Sequence, residues 1–110
     1  MINVDIGVKQ VAIVKQGEPI TKQQLCIDCG YGFTNAFEKA RETHPTWAVK
    51  WMENGYMKIV LKCPNQEEYD RVFSKVISNN LPFATTNRIL VIGPMESGVI
   101  DEITGNLKLL

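Results

Sequence analysis

Along the chain the spacing of apolar residues switches between two and three-to-four, which outlines strands separated by amphipathic helices. Val8 to Val14 is rich in β-branched residues and is punctuated by Gly17-Glu18-Pro19, so it predicts a first strand. Thr21 followed three residues later by Gln24 has capping-box spacing and predicts a helix start. Leu25, Cys29, Phe33, Ala36, Phe37 and Ala40 then form one apolar stripe that faces a sheet. The helix runs to about Thr43, because Pro45 disfavours helical geometry at His44. Gly30 and Gly32 interrupt good helix formers, which implies either a close backbone approach or a local break.

Thr46 to Asn54, closed by Gly55, fits two local readings: a strand ending in an Asn-Gly turn, or a short helix with glycine just past its end. Tyr56 to Cys63 predicts a strand ended by Pro64. Asn65 with Glu68 forms a cap and box for a helix whose stripe is Tyr69, Val72, Phe73, Val76 and Ile77, and Asn79-Asn80 stops it. Leu81 to Thr86 leads into the apolar run Arg88 to Ile92, a buried strand ended by Gly93-Pro94. A last helix spans roughly Ser97 to Thr104 with Gly105 beyond it, and Leu107, Leu109 and Leu110 supply a terminal strand. The class is α/β, a mixed sheet of about four strands sandwiched between helices.

At 110 residues one domain covering 1–110 is expected. Twelve basic residues balance twelve acidic ones, so no general positive field draws the molecule to nucleic acid or an anionic membrane. Any nucleic-acid contact must come from a local patch, for which Lys22, Lys39, Arg41, Lys50 and Arg88 are candidates, although a solvated face is the default reading. The beginning MINVDIGVKQ lacks the pattern of a signal peptide and no segment reaches the ~20 apolar residues of a membrane span, so a cytoplasmic location without membrane association is expected. Three cysteines then read as reduced thiols.

The ordered blocks KIVLKCPNQEEY, NNLPF, LVIGP and IDEITGNLKLL, within Tyr56 to Leu110, resemble the second half of the archaeal and eukaryotic type of peptidyl-tRNA hydrolase. That family carries a strand of the form K-V-V-L-K-V, then P-S/N-x-E-E, a helix, a Leu-Pro turn, a strand ending in I-G-P and a final D-x-V-T-G-x-L-K-L-L. Its tryptophan and glycine at the positions of Trp51 and Gly55 favour the helical reading of the preceding segment. The resemblance implies the family fold and an activity, hydrolysis of the ester joining a peptide to the terminal ribose of tRNA.

It also implies where a site would be. The family's lysine falls on Lys22, its glutamine on Cys26 and its histidine on Cys29. Between the Leu81-Pro82 turn and the I-G-P strand the family has a longer segment containing D-A-G-R-T-Q, where this chain has FATTNRILV. The aspartate has no counterpart; Asn87 or Arg88 is nearest, and Thr85 or Thr86 is a displaced threonine. Ester hydrolysis at neutral pH needs a group that activates or orients water and another that stabilises the oxyanion. Lys22 would serve as the second if the chain is active; Asp28 and Glu18, close to it in sequence, are carboxylates a rearranged site could recruit for the first.

The leading expectation is therefore a catalytically degenerate hydrolase-like domain that binds, and sequesters, a nucleotide or RNA ligand such as a tRNA end. Lys22, Cys26, Cys29, Thr85, Thr86, Asn87 and Arg88 would line its cleft, and a homodimer would build the site between copies. The alternatives are an active hydrolase with a rearranged site and a protein-interaction module. Cys26-Ile27-Asp28-Cys29 has the spacing of a redox pair or half a zinc site, but no second pair accompanies it, so no metal and no cofactor are expected. Phe33, Phe37, Tyr69 and Phe73 read as core; Tyr31, Trp47 and Trp51 also read first as packing, with base stacking as the other use. The single histidine, His44, beside Pro45, reads as a helix-end residue.

Overall fold

A strand buried at nearly every position must have both its faces covered, and Val8–Lys15 (β1) occupies that place. The computed structural model describes residues 7–17 and 19–110, so Glu18 and the first six residues lie outside the description. The chain continues through α1 (Lys22–Thr43), α2 (Pro45–Glu53), β2 (Lys58–Cys63), α3 (Gln66–Ser78), β3 (Phe83–Thr86), β4 (Ile89–Glu96), α4 (Ser97–Thr104) and β5 (Lys108–Leu109). The five strands form one sheet in the order β3-β4-β1-β2-β5. β1 runs parallel to β2, with Val11 opposite Ile59 and Ile13 opposite Leu61, and the other pairings are antiparallel.

Alternation along β1 divides the core between the two faces of the sheet. Val11 and Ile13 pack with Leu90, Ile92, Val72, Val76 and Ile100 on the face covered by α3 and α4. Ala12 and Val14 pack with Ile89, Val91, Cys29 and Ala36 on the face covered by α1. Each large aliphatic side chain taken fully out of water contributes about 1.5–3 kcal/mol, so the first face carries most of the apolar stabilisation.

α1 begins as its cap predicts, with the Thr21 hydroxyl accepting from the backbone N–H of Gln24 at 3.1 Å. The two glycines inside it have different explanations. A Cβ on Gly32 would come within 2.5 Å of Val91 Cγ2, whereas one on Gly30 would meet nothing within 4 Å. The helix is continuous, and only Gly32 marks a close approach to the sheet. The segment with two local readings is helical: Pro45 is at its first turn and Gly55, at φ +96°, follows its end. Trp51 is buried there, its indole N–H donating to the carbonyl of Met57 at 2.8 Å, and Tyr56 adopts φ 62°, so β2 starts at Lys58 rather than Tyr56. Tyr31 is exposed and Trp47 half-buried.

α3 opens with the Asn65 side chain accepting from the N–H of Glu68 at 2.8 Å. The Glu68 carboxylate does not reach back to complete the box. It accepts instead from Arg71 and Asn106, while Arg71 also donates to the carbonyl of Ile103 at 2.9 Å, which ties α3 to the end of α4.

The expected end of β4 is corrected as well. Gly93-Pro94 does not end the strand, for β4 continues to Glu96 and pairs Met95 with Lys9 and Glu96 with Val8. Gly93 has φ +96° and its missing Cβ leaves room for the Lys9 carbonyl, which a Cβ would approach to 2.6 Å. The accompanying register shift between Lys9 and Val11 absorbs the irregularity, so pairing resumes beyond the proline. The strand count is also one higher than expected, because Phe83–Thr86 joins the edge of the sheet. Among the described residues no helix is long and apolar enough to cross a membrane.

Candidate functional site

The C-terminal end of β1, the start of α1 and the β3–β4 turn converge on a cleft of about 810 Å³. Its walls are Lys15, Gln16 and Gly17 after the strand, Pro19, Ile20 and Thr21 before the helix, Gln24 and Asp28 from α1, Gln66 from α3, and Asn87 with Arg88 from the turn. The lining mixes polar side chains with Pro19 and Ile20, and two of its side chains, Lys15 and Arg88, are cationic.

Asp28 is the carboxylate of this cleft among the described residues, and it is 4% exposed. A buried carboxylate is costly unless its oxygens accept hydrogen bonds. Here both do: Oδ1 accepts from Gln24 Nε2 at 2.8 Å and Oδ2 from Asn87 Nδ2 at 3.0 Å. The Thr86 hydroxyl donates to the backbone carbonyl of Asp28 at 2.9 Å, so the hairpin grips the helix at this one residue. Gln24 is available because it is one helical turn earlier on the same face. Asn87 is available because it takes the left-handed conformation, φ 47°, that closes the β3–β4 connection. With two amide donors satisfied, each carboxylate oxygen retains capacity to accept from a water or a ligand hydroxyl.

The residues expected to line the site divide into two groups. Asn87 and Arg88 line the cleft, and Thr86 is joined to Asp28. Arg88 also donates to the Pro19 carbonyl at 3.4 Å, spanning the cleft mouth. Lys22 is the first residue of α1, exposed, and adjacent to the lining residue Thr21 without lining the cleft itself. Cys26 and Thr85 are exposed away from the lining. Cys29 packs in the core against the sheet, and burial, reinforced by the neighbouring Cys26 and Asp28 charges, pushes its thiol above the ordinary value, which favours the neutral form. His44 bonds to Thr43 at the far end of α1, roughly 24 Å of helix from Asp28 at 1.5 Å per residue.

Lys15, Gln16, Gln24 and Gln66 were not expected. They come together only through folding, since β1, α1 and α3 are separate in sequence; the one local hint was the Gln24–Asp28 spacing of four.

Clefts at the strand ends of α/β sheets are common ligand sites, and this one is lined by amides, two cations and, among the described residues, one oriented carboxylate. The family model described as Peptidyl-tRNA hydrolase PTH2 matches residues 8–110, and the chain belongs to that family. Similar proteins include a peptidyl-tRNA hydrolase of Staphylothermus marinus, 30% identical, with 93% of this chain and 94% of the relative covered. That of Thermococcus onnurineus is 25% identical, covering 93% and 97%. Peptidyl-tRNA hydrolase 2 of Saccharomyces cerevisiae is 28% identical over 93% of this chain, which spans 58% of the yeast protein.

Proposed function

We propose that this chain binds the acylated 3′ end of tRNA in the Asp28 cleft and hydrolyses the ester, with Asp28 orienting the attacking water. The observation that carries this reading is the carboxylate itself: it lies inside an open cleft, clamped by Gln24 and Asn87, with one wall cationic. Water held by Asp28 attacks the ester carbonyl, and its proton passes by way of the carboxylate to the departing ribose oxygen. Lys15 and Arg88 offset the charge that develops on the carbonyl oxygen and the negative charge of nearby phosphates. The relatives named as hydrolases support the substrate class.

Retention of the ligand without turnover is the second reading. It draws on the thiols at the family's glutamine and histidine positions, Cys26 exposed and Cys29 buried and neutral. One experiment separates the two: release of the blocked amino acid from an N-acetylated aminoacyl-tRNA, measured beside equilibrium binding of the same tRNA. Hydrolysis by the native protein, reduced about 10²- to 10⁴-fold in Asp28→Asn with binding retained, is the expected result. Tight binding with no release by native protein would replace hydrolysis by sequestration, and neither binding nor release would remove both. Lys22→Ala in the same assay decides whether the lysine beside the cleft takes part.

A further inference from the structure

A second groove adjoins the cleft and shares Gln16 with it. It is lined by Lys62 of β2, Lys108 of β5, Pro64, Glu68, Asn106 and Leu107. Lys62 and Lys108 are directly opposed on antiparallel strands, an arrangement in which like charges destabilise the pair. Neither lysine has an ion-pair or hydrogen-bond partner among the described residues, and both are exposed. The one carboxylate in the groove, Glu68, is already engaged by Arg71 and Asn106, and those hydrogen bonds lower its pKa from the ordinary value. Continuity is built in at the junction, where the backbone N–H of Gln16 donates to the Cys63 carbonyl at 2.8 Å and so fixes the end of β1 beside β2.

An opposed pair of cations on an exposed strand contributes nothing to the fold that would repay its repulsion. A polyanion laid along the groove would. We infer that the Lys62–Lys108 groove is a backbone-phosphate subsite for the RNA stem that leads away from the Asp28 cleft, so that the chain holds its substrate at two places: the reacting end in the cleft and the duplex phosphates on the lysine pair. This assignment rests on the tRNA reading of the cleft. Lysine suits the task because it neutralises phosphates as a point charge without reading sequence. The near-neutral charge of the whole chain makes such a local pair the more consequential.

The test compares Lys62→Gln/Lys108→Gln with native protein for binding to intact uncharged tRNA as salt is varied, and for cleavage of a minimal ester, an N-acetylaminoacyl adenosine, that is too short to reach the second groove. Two lost phosphate contacts should reduce the slope of log affinity against log salt by about 2, so that native affinity falls about tenfold more than the variant's between about 50 and 200 mM salt. Cleavage of the minimal ester should not change. Lys58→Gln/Lys75→Gln, which removes two charges from exposed positions outside both grooves, should leave the salt slope near the native value.

An unchanged slope in the first variant overturns the inference, as does an equal change in the control pair or no tRNA binding by native protein. A variant that loses the minimal reaction in proportion to tRNA affinity also overturns it, because the lysines would then belong to the cleft or to the fold. Cleavage of the minimal ester by native protein reports separately on the Asp28 reading, since a protein that fails that reaction can still show lysine-dependent binding of tRNA.

Discussion

The two faces of the sheet are built on different principles. Under α3 and α4, Ile13, Leu90, Ile92, Val72, Val76 and Ile100 interlock as a bulky aliphatic core, and the Glu68–Arg71–Asn106 network fastens its rim. Under α1 the small residues Ala12, Cys29, Gly32 and Ala36 stand among Val14, Ile89 and Val91 and allow the helix to lie close to the strands. Bulk on one face supplies stability; smallness on the other supplies proximity. Proximity is what lets a helical aspartate reach a two-residue turn on the neighbouring hairpin, so the face that contributes less apolar burial is the one that assembles the cleft.

The largest effect should come from the bulky face. Ile100→Ala, at a fully buried position, is expected to lose about 2–5 kcal/mol of stability in denaturant unfolding, while activity per folded molecule stays near native. A variant that kept its stability but lost activity would reverse the proposed division of labour. The next effect belongs to the close face, where the two glycines of α1 should respond with opposite sign. Gly32→Val drives a side chain into Val91 and is expected to cost about 1–3 kcal/mol and to weaken turnover by moving Asp28 from Asn87. Gly30→Ala, in open space on the same helix, should stabilise by up to about 1 kcal/mol.

How far these features were legible in the sequence follows from the range of the interactions that produce them. Stripe periodicity and caps act within a few residues, and they locate α1, α3, α4 and the central strands. β4 was cut short because Gly93-Pro94 reads locally as a stop; what carries the strand onward is the neighbouring strand, whose Lys9 carbonyl occupies the space of an absent Cβ. α2 is open to two local readings for a similar reason, as its end residues serve a helix or a hairpin equally well; the family resemblance at Trp51 and Gly55 favours the helix, in which Trp51 is buried. At the site, Asn87 and Arg88 were accessible through the shortened loop. Asp28 was visible only as a nearby carboxylate, because nothing local distinguishes an aspartate held by a distant turn from one on a solvated helix face.

The smallest effect should be confined to acid and to the rim of the bulky face. Hydrogen bonds from Arg71 and Asn106 lower the pKa of Glu68 in the folded protein below its ordinary value of 4.5. A lowered folded value means that the contribution is fully present above the unfolded pKa and is lost as pH falls through the folded one. Glu68→Gln should therefore flatten the stability profile below about pH 4.5 and change it little near neutrality, as thermal melts across that range would record.

Asn87 serves two masters. Its backbone must turn through a left-handed conformation, and its amide must hold the Asp28 carboxylate. Glycine would satisfy the geometry of the bend more easily and abandon the acid; aspartate would tolerate the bend and set a second negative charge against the first. Substitution at this position is thus constrained from both directions at once, and an innocuous-looking loop residue becomes the place where shape and reactivity can be uncoupled by a single change.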